Sequence, residues 1–273
     1  MKISFASRVL GVNRSLFYRT GKQRNPGDKE LLKKISCQIE KMPGCGYKKY
    51  AHILGVNHKK IYRIMKDSGL LQKRRTTFKV KTTDSNHRLP VFENLAKNIS
   101  TNALDQLWVG DITYIHLQNN RFAYLATVID AHSRRIIGWS FDLHMRAELC
   151  TSALQKAIET RQKKTFNHSL VFHSDRGSQY ASTAHRKLLD DCGIKGSMSG
   201  KGYCYDNSMA ESFFRTLKVE DVYLKDYRNL KSALSGIGNF IENIYNRQRP
   251  HWGIHLSTPM QFENDLLVEQ NVA

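Results

Sequence analysis

Hydrophobic positions in the first quarter of the chain recur at helical spacing. Apolar residues stand four apart from Leu31 to Ile39, and the Pro-Gly pair at 43–44 ends that helix. A short run over 47–54 predicts a second helix, and a third begins after Asn57, a residue type that caps helices. The pattern therefore predicts a helix, a short helix, a glycine turn and a further helix.

The same ten-residue pattern occurs twice in this region. LGVNRSLFYR at 10–19 returns as LGVNHKKIYR at 54–63. In both copies a turn glycine and a capping asparagine precede an apolar helix face, which is typical of helix-turn-helix domains that bind DNA. The second copy carries His58, Lys59 and Lys60 in the helical turn that would meet base edges, with Arg63 placed to reach phosphates. An ordinary helical hairpin with a basic, solvated face is the alternative.

From residue 107 onward the pattern changes to β-branched and aromatic runs broken by polar pairs. Runs at 107–117, 121–130 and 134–140 predict a three-stranded antiparallel meander. The elements predicted after it are a helix at about 146–163, a strand at 170–173, a helix near 181–191 and a short strand around 194–198. The predicted class is α/β with a mixed sheet.

Positive charge is concentrated at one end of the chain. Residues 1–100 hold 23 Lys and Arg against 6 Asp and Glu, whereas the remaining residues hold 20 against 18. A compact polycation needs a polyanion to neutralise it, and counterion release from phosphates supplies affinity. Nucleic acid is therefore the leading expected partner, and a solvated face or an anionic membrane surface is the alternative.

The five cysteines predict neither a disulfide framework nor a zinc ribbon, because their number is odd and none has CxxC spacing. A zinc site built from Cys37, Cys45, His52 and His58 would have a spacing that fits no standard pattern. No apolar run approaches the roughly 18 residues of a membrane-spanning helix, and Arg8 interrupts the opening segment. We expect a cytoplasmic protein without a membrane partner.

Two acidic residues stand in or beside predicted strands. Asp111 interrupts the most hydrophobic strand, where an unpaired charge costs several kcal/mol and therefore needs a cation. Asp175 follows directly on the strand LVFHS, at a strand end where a sheet presents side chains to a site. Taken singly, each position is also typical of a cap or turn residue.

A third acid, Glu211, lies on a helix whose predicted start is a capping signal at Asp206 and Asn207. Arg215 and Lys218 follow Glu211 by four and seven residues, so the helix has one polar edge. The opposite side carries an apolar stripe at Met209, Phe213 and Leu217. Glu211 is therefore expected to face away from the core.

Three carboxylates on two strands and one helix could hold two divalent ions about 4 Å apart. That arrangement clamps the attacking and leaving oxygens in phosphoryl transfer. Hard oxygen ligands favour Mg²⁺ or Mn²⁺. The set, rather than any single acid, predicts a metal-dependent phosphoryl-transfer site.

Five motifs carry a resemblance that covers nearly the whole chain. They are WVGDITYI around Asp111, YLATVIDAHSRRIIGW, HSDRGSQY around Asp175, YCYDNSMAESFFRTLK around Glu211, and the tail YNRQRPHWGIHLSTPMQF. With these motifs the chain resembles the bacterial DDE transposases of the insertion-sequence-three family, which are kin to retroviral integrases. The 35 residues between the last two acids match the spacing of that family.

The resemblance implies a ribonuclease-H-like core in which Asp111, Asp175 and Glu211 bind the metal ions. It also implies nicking at the ends of an insertion element, followed by attack of the freed 3′-hydroxyl on another phosphodiester, without a nucleotide cofactor. The tail would pack a last helix against the core. Weaker roles in orienting DNA or metal ligands fall to His173, Arg176, Lys201, Asn207, Arg215 and Lys218.

The family also implies partners and a domain order. The expected partners are double-stranded DNA from element ends and target, further copies of the chain on DNA, and an upstream-frame protein or fused segment, the chain itself being the downstream part. The expected segments are a helix-turn-helix-like remnant at 1–24, a helix-turn-helix DNA-binding domain at 25–75, a basic linker at 76–100 and the catalytic core with its C-terminal helix at 101–265. The alternatives are a DNA-binding regulator, an inactive remnant, or a nuclease that only hydrolyses.

Overall fold

The computed structural model describes residues 26–72, 89–118, 121–163, 165–200 and 207–272. The chain divides into two compact units, one ending at Gln72 and one continuing from Lys73, with Met42–Gly44 assigned to the second. The predicted remnant at 1–24 lies outside the described residues. Within the described part, no helix combines the length and the apolar character that crossing a bilayer requires.

Three helices build the described part of the smaller unit, in the predicted order. They are α1 (Pro26–Lys41), α2 (Tyr47–Ile53) and α3 (His58–Asp67). Gly55 takes φ +62° in the turn before α3, a conformation that glycine adopts without strain. Asn57 caps α3 by accepting a hydrogen bond from the Lys59 backbone N–H at 2.9 Å. Ile35 and Ile61 are fully buried in the core of this unit.

A mixed five-stranded sheet forms the centre of the larger unit, as predicted. Its strands are β1 (Leu107–Leu117), β2 (Arg121–Asp130), β3 (Ile136–Asp142), β4 (Val171–Ser174) and β5 (Lys195–Met198). The order is β3-β2-β1-β4-β5. The first three strands are antiparallel, whereas β4 runs parallel to β1 and β5 runs parallel to β4. This is the predicted ribonuclease-H-like arrangement.

Helices flank the sheet and complete the larger unit. They are α4 (Ala147–Arg161), α5 (Thr183–Asp191), α6 (Ser208–Leu217), α7 (Leu230–Asn239) and α8 (Pro259–Val272), and π-helical turns follow α6 (Lys218–Val222) and α7 (Phe240–Tyr245). The approach of α4 to β3 is close, because a Cβ on Gly138 would lie 2.2 Å from the Ala153 carbonyl oxygen. Only glycine permits that approach.

The segment before β1 packs on the same unit. The Arg186 guanidinium lies 4.7 Å from the centroid of the Phe92 ring, and the Leu95 backbone N–H donates to Ser197 Oγ at 2.8 Å. Residues 76–88 of the predicted linker lie outside the described residues. The packed segment therefore begins before residue 101, where the sequence pattern places the start of the core.

A buried ion cluster fastens α8 to the sheet. Arg161 at the end of α4 pairs with Asp105 at 2.7 Å, Asp130 at 3.0 Å and Glu263 of α8 at 2.9 Å. Arg135 contacts the same Glu263 at 2.6 Å. The last helix continues to Val272, seven residues beyond the predicted end of the core.

Candidate active site

The strand register sets two of the three acids side by side. Val109 on β1 pairs with His173 on β4, and β4 ends at the next residue. Asp111 follows Val109 by two residues within β1, and Asp175 follows His173 by two residues, directly after the end of the neighbouring parallel strand β4. Beyond Val109 the paired register with β4 stops, so this side of β1 is open at Asp111.

The helix that carries Glu211 starts at this open edge. Asn207, which directly precedes α6, is 5% exposed, and its Nδ2 donates to the Gly110 carbonyl oxygen at 3.5 Å. The helix starts where the sequence predicts, with Asn207 at the N-cap position, but the Asn207 side chain makes no capping hydrogen bond to α6. Its Oδ1 is buried and has no hydrogen-bond partner among the described residues. Asp206 lies outside the described residues.

The pKa of Asp111 is affected by both of the other candidate acids. Burial raises the pKa of Asp111 well above its usual value, and the negative charges of Asp175 and Glu211 raise it further. The Ile112 backbone N–H, which donates to Asp111 Oδ1 at 2.8 Å, and the charge of Lys218 oppose this rise in pKa. Asp111 has no ion-pair partner among the described side chains. Negative charge is therefore concentrated around Asp111.

The loop after β4 is held in a fixed conformation around Asp175. The Gly177 backbone N–H donates to Asp175 Oδ1 at 3.0 Å. Arg176 Nε donates to the Ser199 carbonyl oxygen at 2.7 Å, and the buried His173 ring hydrogen-bonds with Ser199 Oγ at 3.1 Å. His173 and Arg176 thus brace the segment that follows β5 against the strand end that presents Asp175.

The faces of α6 match the predicted pattern. Of the predicted apolar stripe, Phe213 and Leu217 are buried and Met209 is half-buried, whereas Glu211 and Arg215 are exposed. Lys218, at the end of the same polar edge, is half-buried. Burial lowers the pKa of Lys218, and the charge of Asp111 opposes that decrease.

The donor set fits a hard divalent cation in chemistry, since all three candidate ligands are carboxylates. Their mutual effect on Asp111 is the repulsion that a cation would remove. In the described residues, however, no three His, Cys, Asp or Glu side chains stand close enough together to hold one ion. The structure therefore shows a convergence of charge rather than a finished metal site.

The predicted DNA-contacting residues are placed unevenly. His58, Lys59 and Lys60 are exposed at the start of α3. Arg63 is partly engaged within its own unit, because its guanidinium pairs with the buried Asp28 at 2.9 Å. Lys201 lies outside the described residues.

A buried ion pair that the sequence did not predict lies behind α6. Arg249 of the tail motif binds Glu220 through two contacts of 2.8 Å, and both side chains are buried. Glu220 belongs to the π-helical turn that continues α6, so the tail holds the helix that carries Glu211. The family resemblance implied that the tail packs against the core, but nothing in the sequence identified Glu220 as the partner of Arg249.

Comparison with protein families places this core among known ones. Two models, each described as an integrase core domain, match residues 102–204 and 192–259. The 31 kDa protein of insertion element IS600 from Shigella sonnei is 34% identical over 266 residues, covering 93% of this chain and 96% of that protein. Transposase InsF of insertion sequence IS3fB from Escherichia coli K12 is 42% identical over 182 residues, or 66% of this chain.

The chain spans 62% of the length of the InsF transposase that it matches. Among solved structures, the simian T-cell lymphotropic virus intasome aligns with a TM-score of 0.47 at 16% identity, covering 80% of this chain and 70% of that chain. The catalytic core of bovine immunodeficiency virus integrase aligns with a TM-score of 0.43 at 20% identity, covering 61% and 99%. On the family models and the insertion-element relatives, the chain belongs to the IS3-type transposases with an integrase core domain.

Proposed function

We propose that the chain is a DDE transposase that cuts DNA at the ends of an insertion element and joins the freed ends to a target. The observation that carries the proposal is the strand register that places Asp111 of β1 beside the end of β4, which Asp175 follows, and the effect of Asp175 and Glu211 on the pKa of Asp111 supports it. Three carboxylates, from β1, from the loop after β4 and from α6, therefore act on one region of the protein. Such a region suits a phosphoryl-transfer enzyme and has no use in a DNA-binding regulator.

The reaction needs no nucleotide. Water first cleaves a phosphodiester and leaves a 3′-hydroxyl, which then attacks a target phosphorus, so one phosphodiester forms while another breaks. Two Mg²⁺ or Mn²⁺ ions, held by Asp111, Asp175 and Glu211, would stabilise the attacking and leaving oxygens. The protein fixes Asp175 by its loop hydrogen bonds, and Asn207 anchors the start of α6 at the edge of β1.

The smaller unit would bind the DNA ends. His58, Lys59 and Lys60 stand exposed in the first turn of α3, which a helix-turn-helix domain inserts in the major groove. Arg63, Lys201, Arg215 and Lys218 would contact phosphates. The remaining partners that we propose are target DNA on the nucleoid, further copies of this chain, and an upstream-frame protein or fused segment.

Product analysis with labelled duplexes tests the proposal. The full chain is incubated with Mg²⁺ and DNA carrying the inverted repeats that flank its gene. Joined products indicate transposition, cut products alone indicate a nuclease, and bound but uncut DNA indicates a regulator. We expect joined products, and we expect Asp111→Asn or Glu211→Gln to abolish them.

A matched control separates catalysis from folding. Asp191→Asn removes an exposed acid at the end of α5, outside the site, and is expected to leave joining unchanged. DNA affinity should be similar in all three variants, because the carboxylates serve the metal ions and not the phosphates. Joining at the wild-type rate by Asp111→Asn would overturn the proposed function.

A further inference from the structure

Lys218 lies over an aromatic ring of the strand that carries Asp111. Its Nζ is 4.1 Å from the centroid of the Tyr114 ring, a distance at which the negative face of the ring attracts an ammonium group. A lysine side chain has four rotatable bonds and loses much conformational entropy when it is fixed. The ring therefore restricts a side chain that would otherwise sample many directions.

The restricted ammonium group is near the candidate metal ligands. Lys218 directly follows the last residue of α6 in a helical conformation, seven residues after Glu211, so both side chains lie on the same side of the helix. The charge of Lys218 also acts on Asp111. Tyr114 follows Asp111 by three residues, so the two positions stand about 10 Å apart along β1 and their side chains leave opposite faces of the sheet. The stretch of β1 that joins them lies beyond the register with β4, which ends at Val109.

The Tyr114 ring is itself held in place from β2. Phe122 meets it edge-on with 5.8 Å between ring centroids, and meets His116 in the same way at 5.3 Å. Phe122 is 42% exposed, so it contributes less to a core than a buried phenylalanine does. Its contact fixes the plane of the Tyr114 ring, on which the position of Lys218 depends.

We propose that Tyr114 is a positioning residue, whose ring holds the Lys218 ammonium where a phosphate beside Asp111 would meet it. The inference rests on the proposed function, since it requires DNA at the three carboxylates. Without the ring, the lysine would lose its rotamer freedom only when DNA binds, and that loss would weaken the interaction. With the ring, most of the ordering precedes binding.

A double-mutant cycle tests this role in the full chain. The measurement is kcat/KM for Mn²⁺-dependent nicking of a supercoiled plasmid. We expect Tyr114→Leu to lower it about tenfold when Lys218 is present. In a Lys218→Gln background the same change should alter it by less than about twofold. Tyr114→Phe, which keeps the ring, should recover most of the activity that Tyr114→Leu loses.

Tyr124→Leu is the matched control. Tyr124 pairs directly with Tyr114 across the strands, so both side chains stand on one face of the sheet, and Tyr124 packs against the buried cluster under α4. Its replacement should change kcat/KM by the same factor in both backgrounds. An equal effect of Tyr114→Leu in both backgrounds would show a merely structural role and overturn the proposal.

A spectroscopic readout separates this contact from the activity. In the full chain with ¹³C-labelled lysine and no DNA, the Lys218 methylene signals, identified by their loss in Lys218→Gln, should show a ring-current shift. The shift should persist in Tyr114→Phe and vanish in Tyr114→Leu. Signals unchanged in Tyr114→Leu would overturn the proposal. The wild-type protein could instead show the expected ring-current shift and yet leave every DNA uncut. That result would overturn the proposed function, and with it the role of Tyr114.

Discussion

Asp111 and Asp130 stand on neighbouring strands of one sheet but have opposite surroundings. Asp130 is fully buried, accepts hydrogen bonds from the backbone N–H groups of His132 and Ser133, and pairs with Arg161 at 3.0 Å. Asp111 faces two further carboxylates instead. The same residue type therefore has a structural role on β2 and a candidate metal-binding role on β1.

Neutralising Asp111 should stabilise the protein when no metal is bound. Asp111→Asn removes a charge that burial, Asp175 and Glu211 all disfavour, so we expect the free energy of unfolding to rise by about 1 kcal/mol. Mg²⁺ should raise the thermal midpoint of the wild-type protein and leave that of Asp111→Asn unchanged. Thermal unfolding with and without Mg²⁺ measures both effects. An equal Mg²⁺ effect on both proteins would place the ion elsewhere.

His185 should make stability depend on pH. Its ring packs on Phe172 and Tyr180, both ring nitrogens lack hydrogen-bond partners among the described residues, and burial lowers its pKa from 6.5 to about 4. In the unfolded chain the His185 imidazole is protonated below about pH 6.5, whereas in the folded protein it stays neutral until about pH 4. Stability is therefore lost as pH falls through this window, at about 1.4 kcal/mol per pH unit.

His185→Phe keeps an aromatic ring at this position and removes the titratable imidazole. Between pH 7.5 and pH 5 we expect this variant to lose about 2 kcal/mol less stability than the wild-type protein. Urea unfolding at the two pH values gives the difference. Equal losses would show that His185 is protonated in the folded protein.

At the scale of elements, the helix that carries Glu211 depends on partners distant in sequence. Asn207 binds the β1 backbone at one end of α6, and Arg249 binds Glu220 in the π-helical turn at the other. A π-helical turn inserts one extra residue per turn, and such turns are frequent at functional sites. Here the turn begins at Lys218, directly after α6, which carries Glu211.

Breaking the Arg249 pair should destabilise the protein strongly. Arg249→Met leaves the buried Glu220 without its cation, and removal of one partner of a buried pair costs about 3–5 kcal/mol. The double variant Arg249→Met with Glu220→Met replaces both charges and should recover most of that loss. Urea unfolding of both variants measures the recovery. A double variant as unstable as Arg249→Met would show that the pair is not the cause.

Local pattern predicted the elements well because their periodicity is local. The meander, the mixed sheet and the buried face of α6 follow from runs of side chains within about 20 residues. Long-range pairs carry no such signal. The contacts of Lys218 with Tyr114 and of Arg249 with Glu220 join residues that are separated by whole elements. The sequence placed the start of α6 at Asn207 correctly, but it could not show that this side chain binds the β1 backbone instead of capping the helix.

At the scale of the molecule, charge and chemistry are separated along the chain. The basic excess lies in residues 1–100, whereas the three carboxylates lie in the nearly neutral remainder. The candidate site was predictable as a set of residues, since Asp111, Asp175 and Glu211 stood out by their context. The distances between the three side chains were not predictable, because they depend on contacts between elements that are far apart in the sequence.

DNA affinity should depend steeply on salt, and one exposed lysine of α3 should contribute to that slope. Lys59→Gln removes a proposed phosphate or base contact, so the slope of log K against log salt should fall by about 1 in magnitude. Lys34→Gln is the control, because Lys34 is exposed in the same unit but already pairs with Glu30 at 2.9 Å. Fluorescence anisotropy across salt concentrations measures each slope. Equal slopes for both variants would contradict the assignment of α3.

The central claim is that three carboxylates hold the divalent ions that act on DNA. An anomalous-difference map from crystals of the full chain with Mn²⁺ and element-end DNA tests it most directly. We expect two anomalous peaks about 4 Å apart, in contact with Asp111, Asp175 and Glu211. Ions bound elsewhere, or a site at these strands from which Glu211 stays distant, would contradict it.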